Sequence, residues 1–357
     1  MTFAIGFRFS QRPQARALRL APWPALGHLR WQVLALAVAV VTALGLPLHA
    51  KSTESVPARG INEWLTRMHE ASRHRAYMGT LVVSAGSSMS ASRIWHICDG
   101  TQQMERVETL TGAPRTTIRR NNDVITFAPE SRVAWVEKRE SLGLFPELLR
   151  TPSNQIPDFY GVRESAPQRV AGHLADVVEL VPKDALRFGY RIWSEKKTGL
   201  VVQMQTLDEQ GAVLEQVGFS ELQLDAPVRM DKLKQLMADT KGYELHKPVL
   251  KKTTAEAEGW RLKEPVPGFL PMGCHTRESE KTGALAAPMQ WVFSDGLASV
   301  SLFVEPYDAV RHTQEKAAVI GATHSLTRRI GAQWLTAMGE VPSATLRRFA
   351  NALERTR

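Results

Sequence analysis

The sequence predicts a mainly β protein with some α structure: a large, curled antiparallel sheet followed by a small α+β domain. Three observations carry this. Arg187–Ser194, Leu200–Leu207 and Val213–Leu224 are amphipathic strands whose short connections end in Gly199 and Gly211, so they run antiparallel as a meander. With the segments before them they make roughly ten strands, more than a flat layer easily tolerates. Apolar periodicity lapses after Leu224, through Lys241–Gly242 and Lys247–Thr254, and resumes at Trp260. The expected divisions are a leader over 1–50, a large domain over 55–235, a linker over 236–258 and a small domain over 259–357.

The elements follow in order. Arg8, Arg12, Arg16, Arg19 and Arg30 precede an apolar run from Val33 to Leu46, and no acidic residue comes before Glu54. A basic region, a short apolar region and the exit Leu48–His49–Ala50 make a secretory signal peptide, cleaved near Ala50. The apolar run is short of the roughly 20 residues of a membrane span. The protein is therefore expected to be exported. Ile61, Trp64, Leu65, Met68 and Ala71 repeat at helical spacing. Strands are expected at Tyr77–Val83, Ser92–Cys98, Met104–Leu110, Thr116–Arg120, Val124–Ala128 and Val133–Lys138, with tight turns at Asp99–Gly100 and Asn121–Asp123. Ser141–Leu149 is apolar but holds Gly143 and Pro146, which marks an insert that covers or plugs the open face of the sheet. Strands resume at Arg169–Ala171 and Ala175–Val181 and run into the meander; Pro227–Asp239 is a polar helix.

In the small domain, Trp260–Lys263 and Cys274–Glu278 flank a turn at Val266–Phe269. Met289–Ser294 and Leu297–Glu305 form a hairpin around Asp295–Gly296. Ala318–His324 and Trp334–Gly339 continue the sheet, and Pro342–Leu353 closes the chain as a helix with Pro near its first turn.

Composition excludes several function classes. The 357 residues hold 45 basic and 36 acidic side chains, a formal +9; without the leader the balance falls to 40 against 36, or +4. That is too mild to indicate nucleic acid. No G-x-S-x-G elbow, phosphate loop or dinucleotide fingerprint is present. His69–Glu70 and His74 imitate a zinc-protease helix, but the histidines stand five apart, on different faces. Cys98 with His96 and Cys274 with His275 lack the close cysteine spacing of a structural metal site. An interdomain disulfide between Cys98 and Cys274, against two separate buried thiols, is the alternative an exported protein leaves open. No catalytic residue, metal or cofactor is assigned. A curled sheet with an apolar insert has a surplus of aromatic and aliphatic residues, which places Trp95, Phe127, Trp135, Leu144, Phe145, Leu148 and Trp193 as candidates for lining an apolar cavity.

The sequence resembles the RseB/MucB family of periplasmic regulators of the envelope-stress sigma factor. Tyr190–Trp193 leading through Thr198–Leu200, and Leu207–Gly211, are shared in pattern with half-barrel carriers of the LolA type. Phe293–Ser301, after a linker and a Trp260…Pro267–Gly268–Phe269 entry, favours the regulator. The resemblance implies a large LolA-like half-barrel and a small carboxy-terminal domain. It also implies binding to the periplasmic part of a membrane anti-sigma factor, protection of that factor from proteolysis, and release by the acyl chains of lipoprotein or lipopolysaccharide. Candidate partner contacts are Phe269, Phe293, Leu297 and Phe303, with Arg328 and Arg329 from the basic carboxy-terminal stretch; a homo-oligomer is also open. The competing expectation is a carrier of lipoprotein or glycolipid with no regulatory partner.

Overall fold

The structure, a computed structural model, describes residues 59–138, 155–248, 250–277 and 288–356. The expected leader over 1–50 and Leu144, Phe145 and Leu148 of the apolar insert lie outside the described residues.

The chain opens with α1 (Ile61–His74), whose Ile61, Trp64, Leu65, Met68 and Ala71 are all buried. Their spacing of three or four places them on one stripe, and Glu63 in the first turn with Arg73 and His74 in the last complement the helix dipole. Six strands follow: β1 (Tyr77–Ala85), β2 (Ser88–Cys98), β3 (Gln103–Thr109), β4 (Thr116–Arg120), β5 (Asp123–Ala128) and β6 (Val133–Lys138). After the short α2 (Ile156–Phe159) come β7 (Tyr160–Val170), β8 (His173–Pro182), β9 (Gly189–Glu195), β10 (Val201–Leu207) and β11 (Val213–Leu224). With β12 (Glu244–His246) they form one open sheet of twelve strands, in the order β12-β6-β5-β4-β3-β2-β1-β11-β10-β9-β8-β7. The large antiparallel sheet expected from the sequence is present.

The meander lies in the interior of this sheet, because β11 returns to pair with β1 from Tyr77↔Leu224 to Ala85↔Glu215. The sheet is thus built from the middle outward in two halves. Register separates its faces. Tyr77, Leu81, Ile94, Val107, Ile192, Met204, Val217 and Phe219 share one face and pack with the apolar stripe of α1. On the opposite face, Met104, Ile118, Ile125, Phe127 and Ala134 pack against Leu233 of α3 (Met230–Ala238).

The segment 236–258, expected as a linker, is knitted into both sheets. β12 adds to β6 in parallel, and β13 (Leu250–Thr253) pairs antiparallel with β15 (Leu270–Arg277). Strands this short carry no readable period. Tertiary contacts hold the first, with Tyr243 edge-on to Phe127 at 5.0 Å and His246 stacked on Trp135 at 6.5 Å.

The second sheet has seven strands, in the order β13-β15-β16-β17-β20-β19-β18. Its further members are β16 (Met289–Ser294), β17 (Ser299–Pro306), β18 (Lys316–Ile320), β19 (Thr323–Ile330) and β20 (Gln333–Gly339). Gly321, at φ +57°, splits the expected Ala318–His324 strand into the β18–β19 hairpin. One face is covered by α4 (Ser343–Ala352), whose Leu346, Phe349 and Ala350 join Trp291, Phe293, Val300, Leu302 and Ala337 in the core. A two-stranded ribbon of β14 (Trp260–Leu262) and β21 (Leu353–Arg355) ties the start of this region to its end.

Candidate functional site at the junction of the two sheets

The two sheets meet where the β8–β9 loop faces two turns of the second sheet, Val266–Phe269 and Ser294–Ala298. Arg187 occupies the centre and its side chain has no solvent exposure. Its Nε and Nη2 donate to the two carboxylate oxygens of Asp184, at 2.9 and 3.0 Å. Across the junction, Nη1 donates to Asp295 Oδ2 at 2.8 Å and Nη2 to the Pro267 carbonyl at 2.9 Å. The guanidinium lies over Phe159 at 4.4 Å and Phe269 at 5.2 Å. Asp295 is equally dry. Its Oδ2 also accepts the Tyr160 hydroxyl at 3.1 Å, and its Oδ1 accepts the backbone N–H groups of Leu297 and Ala298 at 2.9 and 2.7 Å. Asp295 thereby closes its own hairpin turn with one oxygen and holds the other sheet with the second.

Electrostatics at this point are opposed. Burial pushes the Asp295 carboxyl up, while the Leu297 amide, Arg187 and the Ala298 amide pull it back. Burial also works against the Arg187 charge, but Asp184 and Asp295 more than offset it and raise its pKa. The surroundings fix the geometry. Gly268 has φ +80°, and a Cβ there would stand 2.9 Å from Phe159 Cζ and 3.0 Å from the Arg187 guanidinium nitrogens. Thr345 Oγ1 donates to the Leu186 carbonyl at 2.7 Å. Leu297 packs on the core of the large sheet and Leu186 on that of the small one, so each side inserts an apolar residue into the other.

A second contact lies at the β18–β19 turn. A Cβ on Gly321 would meet Ala85 Cβ at 2.7 Å and Glu215 Oε2 at 2.8 Å, and Ala322 N donates to Glu215 Oε2 at 3.4 Å. Phe188 meets the His324 ring edge-on at 5.4 Å. Glu340 is nearby; burial and then the Glu215 charge raise its pKa.

The candidates drawn from sequence are dispersed. By register Trp95, Phe127 and Trp193 belong to one face of the large sheet and Trp135 to the other, so these four do not converge on one cavity. Trp95 lies under the Arg106 guanidinium at 4.7 Å, Phe127 is sealed beneath α3, and Trp193 donates to Gln168 Oε1 at 2.9 Å. Phe269 and Phe293, expected at a partner surface, are core residues packed on Phe349 at 5.6 and 4.9 Å. Aromatic side chains beside a turn look alike in sequence whether they face in or out. Arg328 donates to Asn351 Oδ1 at 2.8 Å and so serves the end of α4. Phe303 is half-buried and Arg329 is exposed over Tyr307 at 4.0 Å. Cys98 and Cys274 are free thiols: Cys98 closes β2 beside His74, and Cys274 is buried in the core of the other sheet. The disulfide left open by the sequence is not formed.

Sequence reasoning passed over Arg187 and Asp295, reading one as a strand start and the other as an ordinary hairpin turn. The available signal was that Asp295 sits inside Phe293–Ser301, a stretch that carries the family resemblance, whereas Arg187 lies just before the Tyr190–Trp193 stretch. Among the described residues, no group of three or more His, Cys, Asp or Glu is placed to hold a metal ion, and no helix is long and apolar enough to cross a membrane. An open cleft of about 480 Å³ flanks α4, lined by Lys263, Arg347, Arg348 and Asn351 among others; it is basic, not the apolar cavity expected.

Comparison with known proteins gives the chain a family. Residues 60–237 match the MucB/RseB N-terminal domain and residues 254–354 the MucB/RseB C-terminal domain. The chain is 30% identical over 312 residues to the sigma factor AlgU regulatory protein MucB of Pseudomonas aeruginosa, covering 86% of this chain and 94% of that one. It is 25% identical to the sigma-E factor regulatory protein RseB of Haemophilus influenzae, covering 88% and 97%. Among solved structures it superposes on MucB in complex with MucA(peri) with a TM-score of 0.64 at 26% identity, over 84% of this chain and all of that one. The family's two domain models thus match both halves of the molecule, and the chain belongs to the MucB/RseB family.

Proposed function

We propose that this chain is a periplasmic regulatory binding protein and not an enzyme. It binds the periplasmic part of a membrane anti-sigma factor, protects that part from proteolysis and so restrains an envelope-stress sigma factor. The observation that carries the reading is the match, over the whole of its resolved chain, to a MucB solved with MucA(peri). A site built of a saturated ion pair and sealed aromatic residues, with no free nucleophile or general base in it, suits a rigid binding scaffold. The exported location rests on the leader. Phe303 and Arg329 are the accessible partner candidates.

Release by lipid-bearing molecules is part of the same proposal. An acyl chain contributes about 0.8 kcal/mol per buried CH₂, so a few methylenes offset several kcal/mol of a competing interface. Such a ligand displaces the partner only if it binds the partner-free state better. Calorimetric titration of the mature chain with the periplasmic region of its own organism's anti-sigma factor tests the reading. Saturable one-to-one binding, weakened by lipopolysaccharide or diacyl lipid, is expected. Absence of binding returns the chain to the carrier alternative, and affinity unchanged by lipid removes the release step alone.

A further inference from the structure

The twelve- and seven-stranded sheets end on four edge strands: β7, β12, β13 and β18. An open edge presents unpaired N–H and C=O groups and invites another strand, so proteins blunt such edges with charge, proline, bulges or brevity. Three of the four are blunted. β7 carries Arg163, Glu164, Pro167 and Arg169 with a bulge between Ser165 and Gln168; β12 is three residues long; β13 carries Lys251 and Lys252. β18 is different. It reads Lys316–Ala317–Ala318–Val319–Ile320, pairs among the described residues on one side only, with β19, and has its single charge at its first residue.

The strand is also uncovered on both faces. Register puts Ala317 opposite Leu326 and Val319 opposite His324, on the face that α4 covers over β19 and β20. That cover stops short, leaving Val319 57% exposed, and on the opposite face Ile320 is 68% exposed. On the other face the rung Phe303–Thr336–Thr327 ends at Lys316, whose ammonium has no partner among the described residues.

We propose that β18 is the docking edge for an extended segment of the anti-sigma partner, which adds to this sheet as an eighth strand. This rests on the partner reading given above. The edge specifies the chemistry of the segment: apolar or β-branched residues alongside Ala317 and Val319, where they extend the core past α4, and an acidic residue on the opposite face beside Lys316. A second copy of this chain fits worse. Antiparallel self-pairing about Ala318 sets Lys316 against Ile320 and leaves the ammonium without the counter-charge that an acidic segment supplies. The relative with a bound MucA(peri) shows that this two-sheet architecture accepts a chain partner.

The test uses the mature chain and the periplasmic region of its organism's anti-sigma factor. Amide hydrogen exchange of residues 316–320 should slow at least tenfold when the partner saturates. The pair Val319→Lys with Ile320→Lys, on exposed positions that keep β19 pairing, should weaken binding at least tenfold, and Lys316→Glu several-fold, with unchanged circular dichroism. Tight binding with exchange at 316–320 unaltered overturns the inference and leaves the partner reading standing. Protection that appears without partner and tracks dimer formation in sedimentation assigns the edge to a second copy and also overturns it. If the wild-type chain binds no partner, both readings fall together.

Discussion

Two dry ion pairs in this molecule do different work. Arg119 and Glu105 meet at 2.9 Å on neighbouring strands β4 and β3, beside the stacked rings of Tyr77 and His96. Arg187 and Asp295 meet at 2.8 Å but come from separate sheets. The first pair is held in register by backbone ladders on both sides, so the strands align its partners whether or not it forms. The second has no shared ladder behind it; its partners are aligned only by the way the sheets sit together. A buried ion pair is a poor source of net stability, because desolvation consumes most of the Coulombic gain. It is a strong penalty on every arrangement that separates the charges. Within one sheet that penalty is redundant, whereas between two sheets it selects one orientation.

The contrast breaks most sharply on removal of the acid. Asp295→Ala leaves the buried guanidinium with Asp184 as its one carboxylate and removes the acceptor of the Tyr160 hydroxyl and of the Leu297 and Ala298 amides, and should cost about 3–5 kcal/mol. Calorimetry should then show the two sheets melting in separate steps, while Glu105→Ala, with a similar penalty, should leave one transition. Restoring volume without charge, as Arg187→Met with Asp295→Leu, should recover most of the midpoint and not the fixed orientation, read by small-angle scattering.

A smaller effect is expected at the turn that receives Arg187. Gly268→Ala forces an L-residue to φ +80° and places a methyl group 2.9 Å from Phe159. Strain of this kind costs about 1–3 kcal/mol, which should appear as a lower midpoint for the step in which the sheets part.

The smallest effect is titratable. Burial holds the Glu340 carboxyl above its ordinary 4.5, so the folded state binds its proton more tightly than the unfolded state does. Stability from this group is therefore complete below the unfolded value and lost as pH rises through the folded one. Glu340→Gln should raise the thermal midpoint at pH 7 and change it little at pH 4. An equal gain at both values would show that the carboxylate is not what the junction resists.

Much of the large sheet was legible in sequence because its strands alternate over five or more residues and end at recognisable turns. The stripe of α1 and the Thr116–Arg120 and Val213–Leu224 strands match their expected bounds. β7 hides all but its last two residues, since an edge strand with Arg163, Glu164 and Pro167 reads as loop for the very reason that it is a protected edge. β12 and β13 are too short to show a period. The junction was illegible for another reason. A charged residue is taken as solvated unless its partner is known, and Arg187 and Asp295 are more than a hundred residues apart. Periodicity can say that Phe269 and Phe293 are apolar; only packing against Phe349 says they face inward.

The pairing of β11 with β1 has a consequence in time. Tyr77 finds Leu224, its partner on the central seam, only when the intervening chain has been made and delivered. As the chain emerges amino terminus first, the ladder from β1 to β6 can zip locally, but β1 must wait with one side bare. That side carries nine residues, Tyr77 to Ala85, with no charge among them. Until residue 224 arrives it is the stickiest strand in the molecule, and long-range closure of this kind is slow. The half-made chain therefore has most need of a chaperone at a place where the finished protein shows no edge at all.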